Sequence, residues 1–351
     1  MDTTTVGVDL AKHRFELAVA DGGYRITHRA RLTRGQFARF FDNHPPSLVV
    51  MEACGSAHHW ARGLQAQGHQ VRLLPAQYVR AYVRRNKTDA ADAGALLEAA
   101  RCSEIRPVPV KSIEQQALQQ LHRLRAQCMG TRTARINWLR GALREFGISV
   151  PLGAQRGIRA VREALAAPSE PVPAALRPLI EATLAEIAAL AARSTDIERQ
   201  LAALTGDDAV VRELLRIPGI GLLSATALRA AIVDIQRFAS GRHLASWLGL
   251  TAREYSSGEQ RRLGRISKRG DVYLRTLLIH GARAVLNAAL GAARRGRDPD
   301  RLRCWALNAE RRCGYNKATV ALANKLARIV WATWKYQRRF DGNWATPAPS
   351  T

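Results

Sequence analysis

Apolar and polar positions change rhythm along the chain. Over the first hundred residues they come in short bursts. Residues 4–9 form a β-rich run, residues 15–20 partly alternate, Asp21-Gly22-Gly23 is a hairpin signal, and residues 24–27 read as the returning strand. Thr33 is expected to cap a helix reaching Phe41, with Phe37, Phe40 and Phe41 on one face, and His44-Pro45-Pro46 ends it. Residues 47–52 read as a buried strand closing on a carboxylate. A helix over 57–67 then leads through Gly68 to a strand at 70–74, stopped by Pro75. Three antiparallel strands followed by alternating helix and strand predict a mixed sheet covered by helices.

From about Lys111 the period becomes helical. Leu121, Leu124, Cys128, Ile136, Leu139 and Leu143 keep one stripe through a basic helix ending at Phe146-Gly147, and a proline-containing connector is expected over 150–173. Ile180, Leu184, Ile187, Leu190, Ile197, Leu201 and Leu204 then recur by threes and fours, with Ser194 in one slot. That spacing suits either core helices of a bundle or an antiparallel coiled coil that joins or dimerises domains. From Asp208 the chain is mostly helical, interrupted by a Gly- and Arg-rich loop at 251–270, with its last strong helix over 315–336. The expected division is an α/β domain at 1–110, a helical, coiled-coil-like linker at 111–207, a helical domain at 208–340 and a frayed tail at 341–351.

Charge narrows the class of partner. Lys and Arg number 54 against 29 Asp and Glu, net +25. Residues 1–110 hold 15 basic and 10 acidic side chains, and the remaining 241 hold 39 and 19. Such an excess attracts polyanions, and lysines and arginines that displace counterions from phosphates are the usual source of nucleic-acid affinity. No uninterrupted apolar run reaches a bilayer's span and the start lacks a signal-peptide pattern, so no membrane partner is expected. Five cysteines without a CxxC pair argue against a disulfide framework or zinc site, and a cytoplasmic home is expected.

Three groups of residues have the makings of chemistry. Asp9 and Glu52 each close an apolar strand, and Asp89 and Asp92, three apart, share a face in a helix's first turn. Four gathered carboxylates repel one another unless cations neutralise them, and hard divalent ions, Mg²⁺ above all, take oxygen ligands and promote phosphodiester cleavage. Asp89 also reads as a simple helix cap and Asp92 as a solvated charge. The turn Pro218-Gly219-Ile220-Gly221 has the pattern of a helix-hairpin-helix, whose glycines (Gly219, Gly221) admit a phosphate, although plain helix packing gives the same pattern. Arg253, Arg261, Arg262, Arg265, Lys268, Arg269 and Arg275 make the 251–270 region and its continuation a phosphate-gripping stretch. Its glycines would keep the backbone loose, and a nucleophilic serine within it is the competing reading.

Taken together these motifs resemble the DEDD transposases of the insertion-sequence 110/1111 family, relatives of the pilin-gene invertases. The resemblance runs through Gly7-Val8-Asp9-Leu10-Ala11-Lys12, Met51-Glu52-Ala53-Cys54-Gly55, residues 87–93, the Pro-Gly-Ile-Gly turn, Ser256-Ser257-Gly258, residues 264–270 and residues 317–323. It implies a RuvC-like, ribonuclease-H-type domain binding Mg²⁺ through Asp9, Glu52, Asp89 and Asp92, and a helical transposase domain with an essential serine. Ser257 is the choice, with Ser256 open. It further implies a covalent protein–DNA intermediate, a structured noncoding guide RNA, donor and target DNA as partners, and a dimer or tetramer near the nucleoid. A hydrolytic RuvC-like nuclease or Holliday-junction resolvase using the acids alone is the rival reading.

Overall fold

The computed structural model describes residues 4–82, 89–167 and 172–342. Lys87 and Thr88, the side chain of Asp89, and the tail beyond Gly342 that was expected to fray lie outside the described residues. The chain forms two compact units, Met1–Ile113 and Glu114–Thr351.

In the first unit, β1 (Thr5–Leu10), β2 (Arg14–Ala20), β3 (Ile26–Thr33), β4 (Leu48–Glu52) and β5 (Gln70–Leu74) form one sheet in the order β3-β2-β1-β4-β5. β2 is antiparallel to both its neighbours, whereas β1, β4 and β5 run parallel. The Asp21 carboxylate accepts the N–H groups of Gly23 and Arg25, and Tyr24 takes a left-handed φ of 61°. Tyr24 therefore belongs to the turn, and the returning strand starts two residues later than its sequence suggests.

Helices cover both faces of this sheet. α1 (Arg34–Asp42) opens with a capping box between Thr33 and Gln36, a feature that contributes about 1 kcal/mol. Phe37 and Phe41 of α1, and Ala61 and Leu64 of α2 (Ala57–Ala66), pack on Val6, Val8, Val49 and Met51. Phe15, Phe37 and Trp60 meet edge to face there, with ring centroids 4.9–5.3 Å apart. The other face carries α3 (Ala76–Val79) and α4 (Asp89–Arg101), whose Leu96, Ala99 and Ala100 cover Leu48, Val50 and Leu74. Gly7 is needed at this crossing, because a Cβ there would stand 2.5 Å from the carbonyl oxygen of Ala93.

The second unit begins with α5 (Ile113–Arg144), α6 (Ala154–Ala166) and α7 (Arg177–Leu204). α5 and α7 run in opposite directions, pinned by Arg125–Glu198 at 2.7 Å and Arg135–Glu186 at 2.6 Å. Ile136, Leu139 and Leu143 meet Ile180, Leu184 and Ile187 there, with Val161 of α6 between them. Ile197 and Leu201, further along the heptad-like stripe, are buried with Leu118 and Cys128 of α5, whereas Leu204 at its end is exposed. The segment expected as a connector holds a full helix, because Ile158, Val161, Ala164 and Leu165 supply an apolar face that the flanking prolines obscure.

Beyond it lie α8 (Ala209–Leu214), α9 (Leu222–Ala231), α10 (Gly241–Trp247), the strands β6 (Ala252–Glu254) and β7 (Leu263–Ile266), α11 (Val272–Arg294), α12 (Arg301–Cys313) and α13 (Tyr315–Lys335). α11 is long and apolar enough to cross a membrane by length and composition alone, although no unbroken apolar run of that length stands in the sequence. Its Leu274, Leu278, Ala282, Val285 and Leu286 are buried against α9, α12 and α13, as in the core helix of a helical bundle.

Candidate active site

Side chains alternate faces along a strand, and this decides where the acids stand. Gly7 faces α4, so Asp9, two residues on, belongs to the same face. Leu48 and Val50 pack against α4, so Glu52 belongs to that face too. The parallel pairing Val8↔Met51, carried one residue further, sets Asp9 level with Glu52. α4 runs opposite to β1. The Arg101 guanidinium near its C-terminal end lies 5.7 Å from the Tyr24 ring, beyond the end of β2 that pairs with Thr5. The first turn of α4, where Asp89 and Asp92 sit, is therefore directed toward Asp9 and Glu52.

Two further observations mark this end of the sheet. Among the described residues Asp92 Oδ1 is buried with no hydrogen-bond partner, a costly state for a carboxylate oxygen. The half-buried Cys54 thiol is pushed above its ordinary pKa, first by burial and then by the negative charges of Glu52 and Asp9, which places both carboxylates within its electrostatic reach. Among the described residues no three His, Cys, Asp or Glu side chains converge closely enough to hold a metal ion as they stand. The fourth acid, Asp89, has its backbone in α4 and its side chain outside the described residues.

In the second unit the stretch expected as a loose loop is an antiparallel ribbon. β6 pairs with β7, and the ladder continues through the Tyr255 N–H to the Arg262 carbonyl at 2.9 Å. Ser257 and Gln260 close the tip with reciprocal backbone bonds at 3.2 and 3.3 Å, Gly258 taking φ +56° between them. The two serines differ sharply. Ser256 Oγ donates to Glu254 Oε1 at 2.7 Å and accepts the Arg262 N–H at 3.2 Å. Ser257 is exposed at the tip, with bonds shown for its backbone alone. Gly264 and Gly270 answer to packing rather than looseness: a Cβ at Gly264 would press on the Tyr255 ring, and one at Gly270 on the Trp247 carbonyl.

The cations divide in the same way. Arg261, Arg262, Arg265, Lys268 and Arg269 are exposed on or beside the ribbon. Arg261 lies 3.5 Å from Glu254, and Arg253 braces the ribbon through the Ser267 carbonyl at 3.1 Å. Arg275, expected among the phosphate contacts, is buried instead and donates to the Leu248 carbonyl at 3.2 Å, fixing the turn after α10. Gly219 also has an internal reason: its backbone rests on Gly281 of α11, and a Cβ there would stand 2.7 Å from the Gly281 oxygen. Gly221 is exposed, at the start of α9. Sequence reading passed over Glu254, whose link to Ser256 shows only once the ribbon is formed.

A transposase of the DEDD type is the class whose family model, described as Transposase, matches residues 6–148 and so spans the carboxylate-bearing unit. A second model, described as Transposase IS116/IS110/IS902 family, matches residues 211–297 and spans the ribbon. The chain is 44% identical to a "Probable family 20 transposase" of Pseudomonas aeruginosa over 95% of its own length and 97% of the relative's. It is 36% identical to the "Transposase for insertion sequence element IS1111A" of Coxiella burnetii, covering 97% of this chain and 92% of that one. With the "Transposase for insertion sequence element IS1328" of Yersinia enterocolitica the identity is 35%, over 94% and 96% of the two chains. The chain belongs to the IS110/IS116/IS902 family of insertion-sequence transposases.

Proposed function

We propose that this transposase cuts and rejoins DNA under the direction of a structured noncoding RNA from its own element, with Ser257 as nucleophile and Asp9, Glu52, Asp89 and Asp92 as ligands of Mg²⁺. The observation that carries the reading is the shared face of Asp9 and Glu52 beneath the start of α4. The sheet order β3-β2-β1-β4-β5 supports a RuvC-like, ribonuclease-H-type domain at 1–110, and the α8–α9 turn supports a helix-hairpin-helix. The α5–α7 hairpin is the linker over 111–207, the helical transposase domain covers 208–340, and the protein works as a dimer or tetramer at the nucleoid.

The donor set fits the ion. Carboxylate oxygens are what a hard divalent cation takes, and the unpartnered Asp92 Oδ1 supports a ligand role for this acid. When bound, Mg²⁺ relieves the repulsion among the acids and acts as a Lewis acid on the phosphodiester. The chain's own residues do the rest. Ser257 Oγ bonds to phosphorus and loses its proton, one P–O bond to deoxyribose breaks, and the leaving strand departs as a free hydroxyl. The new serine phosphodiester keeps the bond energy until another strand's hydroxyl attacks and releases the serine. Ser256 is committed to Glu254 and to the Arg262 N–H, which supports Ser257 as the attacking group. Arg261, Arg262, Arg265, Lys268 and Arg269 hold backbone phosphates, and base pairing with the guide selects the sequence. The start of α9 at Gly221 adds free backbone donors for a phosphate.

The rival hydrolytic nuclease or junction resolvase needs only the acids, and the family match over residues 211–297 weighs against it. The test is to incubate the protein with its flanking RNA, element-end DNA and Mg²⁺, then separate the products under denaturing conditions. A protein–DNA adduct is expected, lost in Ser257→Ala and kept in Ser256→Ala. Free nicked DNA that persists in Ser257→Ala and vanishes in Asp9→Ala would replace this reading with the hydrolytic one.

A further inference from the structure

A cleft of about 690 Å³ opens between α12, α13 and the segment that follows α13. It lies outside every motif discussed above. Its walls carry five cations, Arg301, Lys325, Arg328, Arg338 and Arg339, against one acid, Asp341. Trp305, Tyr336 and Phe340 supply aromatic surface among them.

We propose that this cleft binds one unstacked nucleotide of a single-stranded nucleic acid, its phosphate among the cations and its base against Tyr336. Five cations against one carboxylate leave the wall net positive, and a concave wall strengthens the field that draws an anion in. The Lys325 ammonium lies 4.8 Å from the Trp305 ring centroid, which fixes it toward the cleft, and its pKa is drawn below the ordinary lysine value by burial and by Arg328. Tyr336 is 52% exposed, and the Arg338 guanidinium stands 5.2 Å from its ring. An exposed ring beside cations is how proteins grip single strands: bases stack on the ring and phosphates pair with the charges. The volume falls in the range of small-molecule sites and suits a nucleotide. A duplex keeps its base faces stacked inside, so it has nothing to offer Tyr336. The inference does not depend on the serine or metal reading, because all its residues lie between Arg301 and Gly342.

The test uses the full-length protein and fluorescence anisotropy with labelled ten-nucleotide single strands, RNA and DNA of one sequence, and a duplex of that sequence. Tyr336→Leu removes a half-exposed ring and its edge contact with Trp331, 5.5 Å between centroids, keeps an apolar side chain there and leaves the charge unchanged. It is expected to weaken single-strand binding about tenfold and to leave duplex binding unchanged. Lys325→Met is expected to weaken single strands and to flatten their salt dependence. An abasic position in the strand should cost the wild type affinity and cost Tyr336→Leu little more. Whichever single strand loses more identifies the source, guide RNA or an unpaired DNA strand. Single-strand affinities within twofold of wild type in both variants, or equal losses for single strands and duplex, would overturn the proposal and leave a plain polyanion surface.

Discussion

His122 shows what one buried side chain does to the second unit. Thr226 Oγ1 donates to the Leu222 carbonyl at 2.7 Å, so it accepts from His122 Nε2–H at 3.0 Å. Nδ1 is then left to accept the Tyr273 hydroxyl, also at 3.0 Å. The neutral ring thus satisfies two partners, and burial, helped by the charge of Arg125, lowers its pKa from 6.5 to about 4. Between those values the unfolded chain binds a proton that the folded protein refuses. Stability from this group is therefore complete above about pH 6.5, falls as pH drops toward 4, and levels off below. The loss is on the order of 3 kcal/mol at about 1.4 kcal/mol for each pH unit. His58 in the first unit, accepting the Lys111 N–H at 3.2 Å, is lowered to about 4 as well and acts in the same direction. Denaturant unfolding at pH 7, 5.5 and 4.5 measures the fall. His122→Gln should start less stable and lose less over that interval, and equal losses would exonerate the imidazole.

Among the elements, the turn before α9 meets α11 where Gly219 and Gly281 lie backbone to backbone. A Cβ at position 281 would overlap the Gly219 carbonyl oxygen. Gly281→Val should therefore cost at least the 1–3 kcal/mol typical of overpacking and lower the thermal midpoint of the second unit. A midpoint unchanged within a degree would mean that the contact yields freely. This contact also shows how far the sequence could be read. Pro218-Gly219-Ile220-Gly221 announced a turn, yet the helix that meets it begins about fifty residues later, and no local pattern names that partner. The mixed sheet was legible because apolar strands and capping signals are local, and Asp9 and Glu52 stood out as acids closing apolar strands. The helix α6 was hidden by the prolines around it. The β6–β7 ribbon escaped notice because its strands are short, exposed and rich in arginine, without the apolar alternation that betrays a buried strand. Arg275 looked like its exposed neighbours, and only the fold reveals that it points inward.

Across the whole molecule, the net charge of +25 makes salt the dominant control on nucleic-acid affinity. The logarithm of the binding constant should fall linearly with the logarithm of salt concentration, with a slope near −0.9 for each phosphate neutralised on duplex DNA. Reversing three ribbon cations together, Arg261, Arg262 and Arg265 to Glu, should make that slope shallower by about 3. Titrations at four salt concentrations measure it, and an unchanged slope would move the phosphate contacts elsewhere on the protein.

The pairing of β1 with β4 imposes a parity rule on the carboxylates. Asp9 and Glu52 share a face because each stands an even number of positions from a residue under α4, Gly7 in one strand and Val50 in the other. Losing one residue from β1 ahead of Asp9 would swing its charge toward Phe15, Phe37 and Trp60 on the opposite side of the sheet. Losing two would keep the charge on its own side. Chain length in this strand is thus constrained in steps of two, so single-codon deletions are the more damaging kind.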